Sequence, residues 1–240
     1  MSKLYVALGD SMSIDDYAGG PGRGAASLLH RNRNHDFPDW SGQDLYTKGY
    51  DVLILARDGA VTADVLNRQV PQLTAAPDLV TITMGGNDLM SVYGDDTAAA
   101  QVIARVEAQA GGVLTRLRRL TTRIVLTTVY DPSDGTGIIP GGGLPAWPRG
   151  PHWINTLNRA LTGLAARHHT LLADVHRAFH GHGVTAGDPA PADPTPQAPD
   201  LWFCGVIEPN TFGARAIRTT WWNTVQAAAE PLPHTGDGAR

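Results

Sequence analysis

The chain reads as a three-layer α/β/α sandwich on a five-stranded parallel sheet, flavodoxin-like in organisation, and three observations predict it. Short apolar runs alternate with amphipathic stretches, the pattern of strands joined by crossover helices. Four of those runs end in small or polar residues: GDS (9–11), RDGA (57–60), GGND (85–88) and YDPSD (130–134). The 240 residues, 42% hydrophobic and 18% charged, suffice for one sizeable core.

The elements follow in order. LYVALGDS (4–11) is a buried strand, GAASLLHR (24–31) a helix, and DVLILARDGA (51–60) the second strand. VTADVLNRQV is a short helix with Thr62 near its start, and PDLVTITMGGND (77–88) holds strand three. Ile103, Val106, Ala110, Val113, Leu117 and Leu120 recur at helical spacing. RIVLTTVYD (123–131) is strand four, Ile154, Leu157, Leu161 and Leu164 mark another helix, and TLLADVH (170–176) is strand five. A last helix starts near Asn210 and carries Ile217, Trp221 and Val225 on one side. Residues 1–230 make a single domain and 231–240 a flexible C-terminal tail. Two stretches break the pattern: the proline-rich loop 132–151, expected as a lid or substrate wall, and 181–200, either a second rim loop or a solvated connection.

Composition narrows the function. A net charge of −4 without any basic run gives no footprint for nucleic acid, and no apolar run reaches the length of a membrane span. The single cysteine, Cys204, excludes an internal disulfide, and the N-terminus lacks a signal-peptide pattern, so a cytoplasmic protein is expected. The histidines have no metal-ligand spacing, and no cofactor is expected.

Ligands of open parallel sheets bind beyond the carboxyl ends of the strands, where the polar run-ends gather. Ser11, on a tight turn after strand one, has the exposure a nucleophile needs and a backbone N–H for an oxyanion. Gly59 after strand two leaves its N–H unhindered, and the Asn87 amide after strand three is a third donor. Asp15, Asp16, Arg57, Asp131 and His176 stand near the same rim as candidate substrate-binding groups; loop carboxylates turned to solvent are the plainer reading of the first two.

These blocks resemble the SGNH/GDSL hydrolases, a family of esterases, lipases and acyl-hydrolases. GDSMS (9–13) is similar to the first block, Gly59 to the second-block glycine, and GGND to the third block. TTVYDPSDGTG and DDYAGGPGRGA resemble actinobacterial-type members, and the likeness runs from about residue 3 to residue 229. The resemblance implies a flavodoxin-like sandwich, metal-free serine chemistry with Ser11 as nucleophile, and a small-molecule ester or acyl substrate. One block departs. Where the family has D-x-x-H-P-N, this chain has Gly205, Val206, Ile207, Glu208, Pro209 and Asn210, so the orienting aspartate and the histidine base are both replaced.

Four readings of Glu208 stay open. It acts as the base of a Ser11–Glu208 dyad, its pKa raised by the apolar neighbours Ile207, Phe203, Trp202 and Phe212. It deprotonates a substrate in a non-hydrolytic elimination, cyclisation or transfer, with Ser11, Gly59 and Asn87 binding the departing oxyanion. A histidine elsewhere, His176 first, takes its place. Or it is a helix-start carboxylate in a catalytically silent binding module. A homo-oligomer or a partner protein completing the site is a further option.

Overall fold

The computed structural model describes residues 2–139, 143–189 and 193–229; the expected tail at 231–240 lies outside them. Five strands, β1 (Lys3–Leu8), β2 (Tyr50–Ile54), β3 (Leu79–Ile82), β4 (Ile124–Thr127) and β5 (Leu171–Ala173), form one sheet. Their order is β2-β1-β3-β4-β5 and every pair is parallel. The predicted fold class is therefore the observed one.

Alternation along β1 shows why the sheet needs helices on both faces. Val6 and Leu8 point into one core with Val80, Ile82, Ile124 and Leu126. That core is covered by α4 (Asp96–Leu117) and α5 (Gly150–Arg167) through Val106, Val113, Leu157 and Leu161. Tyr5 and Ala7 point the other way, toward α1 (Ala25–His30) and α7 (Thr211–Ala227), whose Leu29, Ile217 and Trp221 are fully buried. A strand buried on both faces reads as a continuous apolar run, which is what LYVAL and LVTI show.

The short pieces depart from expectation. VTADVLNRQV begins as a one-turn helix, α2 (Thr62–Asp64), and continues as a π-helical turn over Val65–Gln69. A five-residue helix, α3 (Gly86–Met90), follows β3 directly. The fifth strand ends at Ala173, and His176 lies in the short helix α6 (Val175–Ala178) rather than at a strand end; Asp174 caps that helix by accepting from the Arg177 N–H. Leu120, counted in the helical stripe, is exposed beyond the end of α4. Residues Phe203–Cys204 (β6) and Glu208–Pro209 (β7) form a small antiparallel hairpin just before α7.

The two long loops are knitted together. Asp134 accepts hydrogen bonds from the Gly181, Gly183 and Thr185 N–H groups and from the Thr185 hydroxyl. The start of the 181–200 segment is thus a second rim loop fastened to the first. Among the described residues, no helix is long and apolar enough to cross a membrane.

Candidate active site

The strand order reverses between β1 and β3, since the chain leaves β1 for β2 on one side and reaches β3 on the other. A crevice opens beyond the carboxyl ends of such a pair. Ser11 follows β1 and Asn87 follows β3, and both line one cleft there.

The turn that presents Ser11 is fixed from several directions. Gly9 has φ +123°, and a Cβ there would stand 2.1 Å from the Thr83 carbonyl oxygen, so glycine is required. The Gln69 side chain, carried by the π-helical turn, accepts from the Gly9 N–H at 2.7 Å and donates to its carbonyl at 2.8 Å. The Thr83 hydroxyl accepts from the Asp10 N–H and bonds the Ser13 hydroxyl. Asp10, buried beneath the turn, accepts from the Met12 N–H, and burial pushes its carboxyl up to about 6.

Three donors at this end are left without a full set of acceptors. The Ser11 and Gly59 N–H groups bond to no acceptor among the described residues. Gly59, at φ +66°, is the third residue of a tight turn closed by the Ala60 N–H on the Arg57 carbonyl. The Asn87 amide spends one hydrogen on the Ala60 carbonyl at 3.1 Å, which ties it to the Gly59 turn and leaves its second hydrogen free. Neighbouring Asp88 is consumed structurally, accepting from the Thr62 N–H and hydroxyl at 2.9 Å each.

Glu208 reaches the site from the hairpin. It is the cross-strand partner of Cys204, after the three-residue turn Gly205–Val206–Ile207. Burial, followed by the negative charges of Asp10 and Asp58, pushes its carboxyl up to about 7, while the Ser11 hydroxyl beside it favours the ionised form. Its Oε2 is buried with no hydrogen-bond partner. The expected apolar wall exists in part. Tyr130 stacks on Phe179, meets Phe203 edge-on, and donates its hydroxyl to the Ile207 carbonyl at 2.7 Å. The hairpin is held by Asn210, whose amide donates to the Leu201 and Phe203 carbonyls while its oxygen accepts from the Phe212 and Gly213 N–H groups at the start of α7. Asn210, not Glu208, therefore serves the helix start.

The remaining candidates separate. Asp131 lines the cleft, but its carboxylate is engaged by the Ser133 N–H and hydroxyl and by the Gly135 N–H. Asp15 is a loop tie, one oxygen on the Gly22 N–H and the other on the Gly24 N–H, and it does not line the cleft. Asp16 and Arg57 are exposed, and Arg57 reaches back to the Ala56 carbonyl. His176 is neither on the cleft wall nor among the groups acting on Glu208. Tyr130, Tyr17 and Asp58 interact electrostatically with Glu208 and were not among the site candidates of the sequence. Tyr130 carried a signal, since it stands at the polar end of strand four.

The cleft encloses about 680 Å³, its solvent-open mouth included. The loop after β4 forms one wall through Pro132, Ile139 and Trp147, as expected of a substrate wall. Gly141 and Gly142 of its glycine run lie outside the described residues.

Comparisons with known proteins agree with this architecture. A family model described as GDSL-like lipase/acylhydrolase matches residues 7–216. A lipase from Streptomyces rimosus is 26% identical over 212 residues, spanning 77% of this chain and 74% of the lipase. Among solved structures, the acetylxylan esterase Axe2 from Geobacillus stearothermophilus superposes with a TM-score of 0.62 at 16% identity, covering 93% of this chain and 94% of its own. TesA gives 0.62 at 20% identity (94% and 99%), and LAE5, an alpha/beta hydrolase from the metagenome of Lake Arreo, 0.64 at 19% (93% and 95%). With the serine turn and the asparagine helix on one cleft, the glycine turn tied to the asparagine through the Ala60 carbonyl, and the family match spanning most of its length, the chain belongs to the GDSL-like lipase/acylhydrolase family.

Proposed function

We propose that this protein is an esterase in which Ser11 is the nucleophile and Glu208 the general base. The observation that carries the reading is the serine hydroxyl beside a half-buried carboxyl, one oxygen of which is buried and unpartnered; desolvation raises the group to about 7, where it is partly ionised at neutral pH and able to take a proton. Ser11 Oγ attacks the ester carbonyl carbon as its proton passes to Glu208. The Ser11 and Gly59 N–H groups and the Asn87 amide hold the resulting oxyanion. Its collapse breaks the bond to the leaving oxygen, which takes the proton from Glu208 and departs as the alcohol. Water then attacks the acyl-serine, giving one proton to Glu208, and Ser11 regains it as the acid leaves.

The absence of an orienting aspartate fits a carboxylate base. An imidazole needs a partner to fix its tautomer and stabilise its charge, whereas a further carboxylate hinders ionisation of Glu208, as Asp10 and Asp58 already do.

Hydrolysis of p-nitrophenyl esters and labelling by a fluorophosphonate test the reading. Ser11→Ala is expected to abolish both, and Glu208→Gln to lower kcat/KM by about a hundred- to ten-thousandfold. In the wild type kcat/KM climbs with pH through about 7 as Glu208 ionises. Undiminished turnover in Glu208→Gln would remove the glutamate from the mechanism.

A further inference from the structure

One short segment between β2 and β3 is bonded to every donor at the oxyanion end of the site. It starts in the Gly59 turn, passes through α2 and ends in the π-helical turn Val65–Gln69. At its start the Arg57 N–H donates to the Gly9 carbonyl at 3.0 Å. The Ala60 carbonyl then accepts from the Asn87 amide, and Thr62 bonds Asp88 through both its N–H and its hydroxyl. The turns that carry Ser11, Gly59 and Asn87 are therefore fastened to one another through this segment.

Gln69, its last residue, is the polar side chain that closes the arrangement. It is 2% exposed, and an amide so buried needs partners for both its oxygen and its nitrogen. Both partners belong to one residue: the Oε1 atom accepts from the Gly9 N–H at 2.7 Å, and Nε2 donates to the Gly9 carbonyl at 2.8 Å. Gly9 is the residue most in need of such a hold. At φ +123° it has no side chain to restrict it, and rotation about it would swing the Asp10 and Ser11 peptides that follow. A planar amide bonded to both the N–H and the carbonyl blocks that rotation, because turning the residue breaks both bonds. The Thr83 hydroxyl holds the next N–H, that of Asp10, at 3.1 Å. The irregular winding has a use here: a π-helical turn carries one more residue than an α-helical one, and so re-aims the side chain at its end.

Resting on the esterase reading above, we propose that Gln69 is a positioning residue for catalysis, which fixes the Gly9 peptide groups so that the Ser11 N–H points at the oxygen where charge develops. Gln69 lies off the cleft wall and touches no substrate. Its effect is therefore felt in the transition state and not in substrate binding.

The test compares p-nitrophenyl butyrate with its thiono counterpart, in which sulfur replaces the carbonyl oxygen. Sulfur stands farther from carbon and accepts hydrogen bonds weakly, so well-aimed donors favour the oxygen ester and a misaimed one favours it less. Gln69→Met, close in size but without polar ends, is expected to lower kcat by about ten- to a hundredfold with KM within about twofold. The ester-to-thionoester ratio of kcat/KM is expected to fall by about fivefold or more. Gln69→Ser, with room for a water on the Gly9 N–H, serves if methionine prevents folding, and the same signs are expected. An unchanged kcat in a folded variant overturns the proposal, as does a loss of activity that leaves the ratio untouched. If the wild type cleaves no ester, the esterase reading fails separately, and amide hydrogen exchange judges the clamp. The Gly9 and Asp10 N–H groups are then expected to exchange at least about tenfold faster in the variants, while Val6 and Leu8 keep their wild-type rates. Equal acceleration along β1, or none at Gly9, overturns the positioning role.

Discussion

The two halves of the site are built on opposite principles. The strand-end half is braced. Gly9 is clamped at both its N–H and its carbonyl by Gln69, the Asp10 N–H is held by Thr83, and Asp88 is held by Thr62. The hairpin half carries Glu208 on a two-residue strand, with one carboxyl oxygen buried and unpartnered. The difference follows from what each half does. Donors awaiting a developing charge gain most from being fixed in advance, whereas a group that must gain and lose a proton gains from poor solvation that lifts its pKa.

That contrast can be broken first at Gly9. Gly9→Ala places a Cβ against the Thr83 carbonyl at a φ of +123°. Strain and overpacking together are expected to cost about 4 kcal/mol in chemical denaturation. On the hairpin side the sign reverses. The folded protein binds the Glu208 proton more tightly than the unfolded chain, so its stability contribution is complete below about pH 4.5 and is lost as pH rises through about 7. Glu208→Gln has no charge to bury and should therefore be the more stable protein at about pH 8, by up to about 3 kcal/mol, with the difference vanishing near pH 4. A melting series across pH checks this, and a glutamine variant less stable at every pH would refute the poorly solvated, hairpin half of the comparison.

Smaller effects sharpen the boundary between the halves. Asn210→Ala removes the cap of α7, one bond to the hairpin backbone at Phe203 and one to Leu201 just before it, for an expected loss of about 2 kcal/mol by urea denaturation. If Asn210 holds the hairpin as well as the helix, kcat/KM also falls in the folded variant. Asp58→Asn removes one of the negative charges acting on Glu208. The acid limb of the pH–rate profile should then move down by less than about one pH unit, because Asp58 is exposed.

Sequence periodicity reached the elements that are long enough to have a period. Val106, Val113, Leu157 and Leu161 repeat over many turns, and the strand runs are buried on both faces, so the five strands and the large helices were legible. The hairpin of Phe203–Cys204 with Glu208–Pro209 was not, because two residues on each side leave no alternation to read. In the site, Ser11, Gly59, Asn87 and Glu208 were nominated from motif positions. Gln69 and Thr83 were invisible: their partners lie 60 and 73 residues away in sequence, and nothing local in VLNRQV or TITMG marks an amide or a hydroxyl as a clamp. Asp15 misled for the opposite reason. A carboxylate near a nucleophile invites a substrate role, but two glycine N–H groups already occupy it.

Gly205 stands in the left-handed region at φ +59°, and a Cβ built on it meets nothing within 4 Å. Aspartate is among the few residues that tolerate such a backbone. The turn can therefore exchange glycine for aspartate at the cost of little more than modest backbone strain, while Asn210 keeps the hairpin in register. In evolutionary terms, the glutamate form of this site and the Asp-x-x-His form are neighbours: two side-chain replacements on an unchanged turn separate them, and neither has to pass through an unfolded intermediate sequence.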